Sequence, residues 1–171
     1  MTKYFLTLFL STVITIGSFC QTIKGKVVRI ADGDTITLLD STNNQIRIRL
    51  YGIDCPENGQ DFANVAKKFT SEMCFQKHVC VDVKDIDRYG RTVGIVWADS
   101  TNVNLELLRE GLAWHYKHFD KSEEFAQAER LARVHKKGLW VQGNAIPPWS
   151  IGGNEKSLAN GSSYFAFYVS F

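Results

Sequence analysis

Between residues 50 and 61 the hydrophobic period of this chain changes from two to between three and four. Before the change, Gln45, Arg47 and Arg49 alternate with Ile46, Ile48 and Leu50, so residues 45–50 read as a half-buried strand whose polar face carries both arginines. After it, Phe62, Val65, Ala66, Phe69 and Met73 recur at helical spacing and predict an amphipathic helix over residues 61–75, with these side chains turned inward. One sequence that must bury a sheet face and a helix stripe belongs to the α+β class. Residues 22–31 and 35–39 are further strands, divided by the Asp32-Gly33-Asp34 turn, and residues 40–44 form the next turn. Strands at 78–83 and 92–98 flank a loop that starts at Asp85. A helix over 104–110 stops at Gly111, and Ser122 caps a third whose apolar positions include Phe125, Ala128, Leu131 and Ala132. That helix ends at Gly138, after which Leu139 and Trp140 return to the core. Three antiparallel strands, a helix, two more strands and closing helices predict a five-stranded Greek-key barrel of the OB type with about three helices.

A length of 171 residues supports one domain, and 22% charged residues exclude a polytopic membrane protein or a disordered polymer. Lys3 is the only charge among the first twenty residues, and residues 4–16 form a short apolar run ending near Gly17, Ser18 and Cys20. This reads as a signal peptide over residues 1–20, because the run is shorter than the ~20 residues of a spanning helix. The chain is therefore expected to be secreted or periplasmic, with membrane anchoring through an uncleaved segment as the alternative. Beyond residue 20, 151 residues remain with 19 basic against 18 acidic side chains, so attraction to a polyanion has to come from a local cluster. Cys55, Cys74 and Cys80 stay in that body. A Cys74–Cys80 disulfide and buried free thiols are both open. His78, His115, His118 and His135 form no metal-ligand pattern. From residue 150 to 171 the chain changes character, first Gly-, Asn- and Ser-rich like a flexible tail, then strongly apolar.

Chemistry-bearing residues collect at the turns. Asp32 and Asp34 lie in the first, Arg49 ends the third strand, Asp54 and Glu57 follow it, and Asp87, Arg88, Tyr89 and Arg91 lie between the last two strands. Carboxylates with backbone oxygens suit a hard cation such as calcium. Two guanidinium forks suit a phosphate, and a further carboxylate can orient or deprotonate water. Taken singly each is an ordinary turn or a solvated strand face. Together they are the parts of a metal-assisted phosphodiesterase.

The blocks Ala31-Asp32-Gly33-Asp34-Thr35, then Arg49-Leu50-Tyr51-Gly52-Ile53-Asp54-Cys55-Pro56-Glu57, then Asp87-Arg88-Tyr89-Gly90-Arg91 resemble, in order, the signatures of the staphylococcal nuclease (thermonuclease) family. Gly111-Leu112-Ala113-Trp114 and Lys137-Gly138-Leu139-Trp140 resemble its closing helical region. The resemblance runs from residue 22 to 149, which defines a nuclease domain over 21–149 and leaves the tail uncovered. It implies a calcium-dependent endonuclease acting on DNA and RNA and leaving 3′-phosphate ends. It further implies Asp34 and Asp54 as calcium ligands, with Cys55 contributing a backbone carbonyl. Arg49 and Arg91 would grip the scissile phosphate, Glu57 would position or activate the attacking water, and Arg88, Tyr89 and Tyr116 would contact substrate. An OB groove with aromatics implies a preference for single strands. No stable protein partner is implied, and a monomer is expected.

Two other classes compete. One is a non-catalytic OB-fold module that binds nucleic acid without cutting it; such a module would lack the arginines or the glutamate, all of which stand here. The other is an exported cation-binding structural protein with an apolar docking tail, which has no need of paired arginines beside an acidic loop.

Overall fold

Ile48 and Leu50 are buried while Arg47 and Arg49 face outward, the alternation that residues 45–50 predict. In the computed structural model, which describes residues 21–150, this strand is the third of a meander. Strands β1 (Thr22–Ile30), β2 (Thr35–Leu39) and β3 (Gln45–Leu50) pair antiparallel in chain order. A two-residue strand β4 (Ile53–Asp54) and helix α1 (Ala63–Cys74) follow. Strand β5 (His78–Ile86) then returns antiparallel to β1, and β6 (Thr92–Ala98) pairs antiparallel with β5. The barrel closes where β6 meets β3 in parallel, with Ile48 opposite Thr92, Arg49 opposite Val93 and Leu50 opposite Gly94. These five strands make the expected OB-type barrel in an α+β fold.

Short β7 (Thr101–Asn102) leads into α2 (Val103–Arg109), and β8 (Trp114–His115) pairs with β4. Helix α3 (Glu123–Val134) and a 3-10 turn (Gly138–Val141) complete the described elements. Val27, Ile36, Leu38, Ile48, Val81 and Val96 fill the barrel. Trp114, Ala132, Leu139 and Trp140 form a smaller second core under the closing helices. Among the described residues no helix is long and apolar enough to cross a membrane. The expected signal peptide over 1–20 and the tail beyond 150 lie outside the described residues.

Several local readings change, and one left open is decided. Helix α1 begins at Ala63 rather than residue 61, because Phe62 sits in the left-handed region at φ 65°. Its buried face is Ala63, Ala66, Thr70 and Cys74, whereas Val65 is 50% exposed and Phe62, Phe69 and Met73 are partly buried flanks. Small residues face inward because the helix lies hard against the Gly33 turn, where Thr70 Oγ1 donates to the Gly33 carbonyl at 2.5 Å. Strand β5 runs on to Ile86, past a bulge between Val83 and Asp85, so the loop expected from Asp85 begins later. Leu131 is exposed on α3, and Ser122 donates its hydroxyl to Asp120 Oδ2 at 2.6 Å instead of capping the helix. Finally, Cys55, Cys74 and Cys80 are all free thiols, so the Cys74–Cys80 alternative is not the one formed.

Candidate active site

The turn that ends β1 places Asp34 immediately ahead of β2, and the chain leaving β3 places Asp54 on β4. Both carboxylates are buried, at 4% and 8% exposure. They converge on one guanidinium: Arg49 Nη1 pairs with Asp34 Oδ1, and Arg49 Nη2 pairs with Asp54 Oδ1. The other oxygen of Asp34 accepts the Cys55 backbone N–H at 2.7 Å. Burial pushes the Asp54 carboxyl above its ordinary value; Arg49 and Arg91 oppose that rise and the Asp32 charge adds to it. Two buried carboxylates already sharing one positive charge make a place where a cation is favoured.

The donor chemistry fits calcium in one respect and limits it in another. Asp34 and Asp54 offer hard oxygen, which is what calcium takes. Among the described residues no trio of His, Cys, Asp or Glu side chains is arranged to hold an ion, so the shell must be completed by backbone oxygen and water. Burial pushes the Cys55 thiol far above its ordinary range, so Cys55 is no thiolate ligand and only its backbone is usable.

Arg49 also opens onto a cleft of about 590 Å³ whose lining includes Tyr51, Arg88, Tyr89, Arg91 and Tyr116. The loop carrying three of these is organised by Asp87. Its Oδ1 accepts the Tyr89 and Arg91 backbone N–H groups, each at 2.9 Å, and its Oδ2 accepts Arg91 Nε at 2.7 Å. Burial raises the Asp87 carboxyl, but these donors outweigh it and hold the group below its ordinary value. Gly90 turns the loop at φ 73°, which a side chain would strain. The Arg88 and Arg91 guanidinium carbons lie 4.8 and 5.5 Å from the Tyr89 ring centroid, within cation–π range.

Of the Trp114-His115-Tyr116 triplet, Tyr116 is the residue in the cleft. Trp114 is buried against Trp140, His115 is buried on Asp120 at 2.9 Å, and the Tyr116 N–H donates to the Gly52 carbonyl at 2.9 Å. Asp34, Arg49 and Asp54 therefore come together, and Arg91, Arg88, Tyr89 and Tyr116 share Arg49's cleft. Glu57 stands apart from these contacts. It is exposed in the loop three residues beyond Asp54, and its backbone N–H donates to Gln60 Oε1 at 2.6 Å.

Three residues that shape the site escaped the sequence reading. Phe119 lines the cleft, and its carbonyl accepts the Tyr51 hydroxyl at 2.6 Å. Trp149 stacks flat on Tyr116, with centroids 5.0 Å apart and planes 7° from parallel. The Pro147-Pro148-Trp149 run was its only visible signal, a stiff lead-in to an aromatic. Asn104 is fully buried and ties α2 to the barrel mouth, accepting the Val96 N–H at 3.0 Å and donating to the Tyr51 carbonyl at 2.9 Å.

A family model described as "Staphylococcal nuclease homologue" matches residues 47–142. The chain is 39% identical over 138 residues to an "Uncharacterized endonuclease" of Haemophilus influenzae, covering 80% of this chain and 78% of that protein. It is 40% identical over 149 residues to a "Micrococcal nuclease" of Shigella flexneri, covering 80% of this chain and 84% of the other. A third relative, "Protein ParB" of Escherichia coli, is 40% identical over 138 residues, with 74% and 77% covered.

Proposed function

The chain belongs to the staphylococcal nuclease family and is an endonuclease of the hydrolase class, and from that premise we propose an exported, calcium-dependent, monomeric enzyme that cuts DNA and RNA, prefers single strands and leaves 3′-phosphate ends. The observation that carries this reading is the convergence of two buried carboxylates and Arg49 at the mouth of a cleft that also holds Arg91. A phosphodiester is anionic and repels a nucleophile, so catalysis depends on offsetting charge that is in place before reaction. Calcium held by Asp34, Asp54 and backbone oxygen would supply positive charge beside the phosphate when bound. Arg49 and Arg91 present planar forks that grip two phosphate oxygens each and hold the ester in line. Glu57 positions or deprotonates the attacking water from the loop that follows Asp54. Tyr89, and the face of Tyr116 that Trp149 leaves uncovered, offer ring surface for bases, which an unpaired strand can reach and a duplex cannot.

The test is cleavage of a labelled single-stranded DNA and its RNA counterpart with calcium, with magnesium and with chelator. Cutting with calcium alone, and fragments that need phosphatase before extension from their 3′ ends, is the expected result. Undiminished cutting in chelator overturns the calcium assignment. For export, the amino-terminal residue of protein recovered outside the cytoplasm should lie near residue 21.

A further inference from the structure

We propose that the outer face of β3, β2 and β1, together with the groove between β1 and α1, is a second nucleic-acid contact: a phosphate track that carries a single strand away from the cleft. Arg47 lies two residues before Arg49 on β3 and on the same outward face, about 7 Å along the strand. The register then runs straight across the sheet, with Arg47 opposite Thr37 and Thr37 opposite Arg29, so the two arginines stand two strand spacings apart, about 10 Å. Arg29 in turn lines an open groove of about 540 Å³ with Asn64, Lys67, Lys68, Ser71 and Phe75. Cations therefore follow one another from Arg49 through Arg47 and Arg29 to Lys67 and Lys68.

These charges are available to a ligand. Among the described residues Arg29, Arg47 and Lys67 have no carboxylate partner, and Lys68 has only an exposed contact with Glu72 at 3.7 Å. Glu72 is the one acidic residue of α1. On the helical side of the molecule, Arg109, Arg130, Arg133 and Lys137 are each matched to a carboxylate. With a formal net charge of only +2, attraction to a polyanion depends on such a local row of cations. Phe75 is 41% exposed at the groove, an aromatic face among cations on which an unpaired base can stack.

The track deepens the nuclease reading and rests on it for the direction of the strand. Its test compares wild type with the variant carrying Arg29→Ala, Arg47→Ala, Lys67→Ala and Lys68→Ala, on a dinucleotide and on a labelled single-stranded 20-mer. The expected result is a KM for the 20-mer raised roughly tenfold or more, with kcat and dinucleotide cleavage unchanged. The slope of log affinity against log salt should fall by about 0.7 for each charge removed. The two arginines changed to lysine should restore most of the 20-mer KM. Binding of the 20-mer in chelator, read by fluorescence anisotropy, reports on the track even if the protein does not cut, which separates failure of the track from failure of the nuclease assignment. An unchanged 20-mer KM and salt slope overturns the proposal. So does an equal loss when Arg130, Arg133, Lys136 and Lys137 are changed to alanine instead.

Discussion

Arg49 carries two roles in one side chain. It neutralises Asp34 and Asp54, both buried, and it faces the cleft where a phosphate would sit. Arg49→Ala leaves two uncompensated buried carboxylates, so the metal-free protein should lose about 3–5 kcal/mol in urea unfolding. Calcium should return part of that loss. Arg49→Lys keeps a charge but not the fork, so it should retain the native circular dichroism while turnover falls at least about 100-fold; Arg91→Lys and Glu57→Gln should behave alike. Asp87 gives a pH signature. Its carboxyl is held below its ordinary value in the folded protein, so the stability it contributes is present above about pH 4, the unfolded value, and is lost as pH falls through the folded one. Asp87→Asn should therefore cost about 1 kcal/mol at pH 7, with the cost shrinking at more acid pH in parallel denaturation curves.

At the scale of elements, the Asp32-Gly33-Asp34 turn and α1 are one unit. A Cβ on Gly33 would lie 2.8 Å from the Cβ of Ala66 and from the Cβ and Sγ of Cys55. Gly33→Ala should destabilise by about 1–3 kcal/mol and, by shifting Asp34, reduce activity more than the lost stability explains; thermal melts and turnover measured together check this. The same packing protects thiols. Cys55 and Cys74 are buried, and burial pushes the Cys74 thiol up to about 12. Of Cys55, Cys74 and Cys80, alkylation at pH 8 followed by peptide mapping should label Cys80 alone in the native protein and all three in denaturant. The face of α1 shows why sequence alone misleads here. Phe62, Val65 and Phe69 carry the strongest apolar signal, but the tight turn beneath favours the small face of Ala63, Ala66, Thr70 and Cys74. Periodicity finds a helix; the distance to its neighbour selects which stripe is buried.

For the molecule as a whole, β2, β3 and β6 appear at the bounds read from the sequence, and in β3 the alternation of Arg47 and Arg49 with Ile48 and Leu50 is what marks the strand. The parallel pairing of β3 with β6 leaves no such mark, since it joins segments far apart in sequence. Likewise Asp34, Arg49 and Asp54 stand close enough along the chain for their association to be legible, whereas Trp149 on Tyr116 and Asn104 at the barrel mouth arise only from folding. Asn104→Leu should cost about 2–4 kcal/mol in chemical denaturation, because the Val96 N–H and the Tyr51 carbonyl lose their buried partner.

The β3–β6 seam has a consequence of its own. Arg49 sits in it and Arg91 lies just outside its first paired residue, so the two forks become neighbours only when the strands zip together. A nascent chain that has not yet emitted residue 91 carries Asp34, Arg49 and Asp54 but not Arg91, and one that stops short of β6 has no strand to bring the two arginines together. Opening this seam alone would part Arg49 from Arg91 while β1, β2 and β3 stay paired.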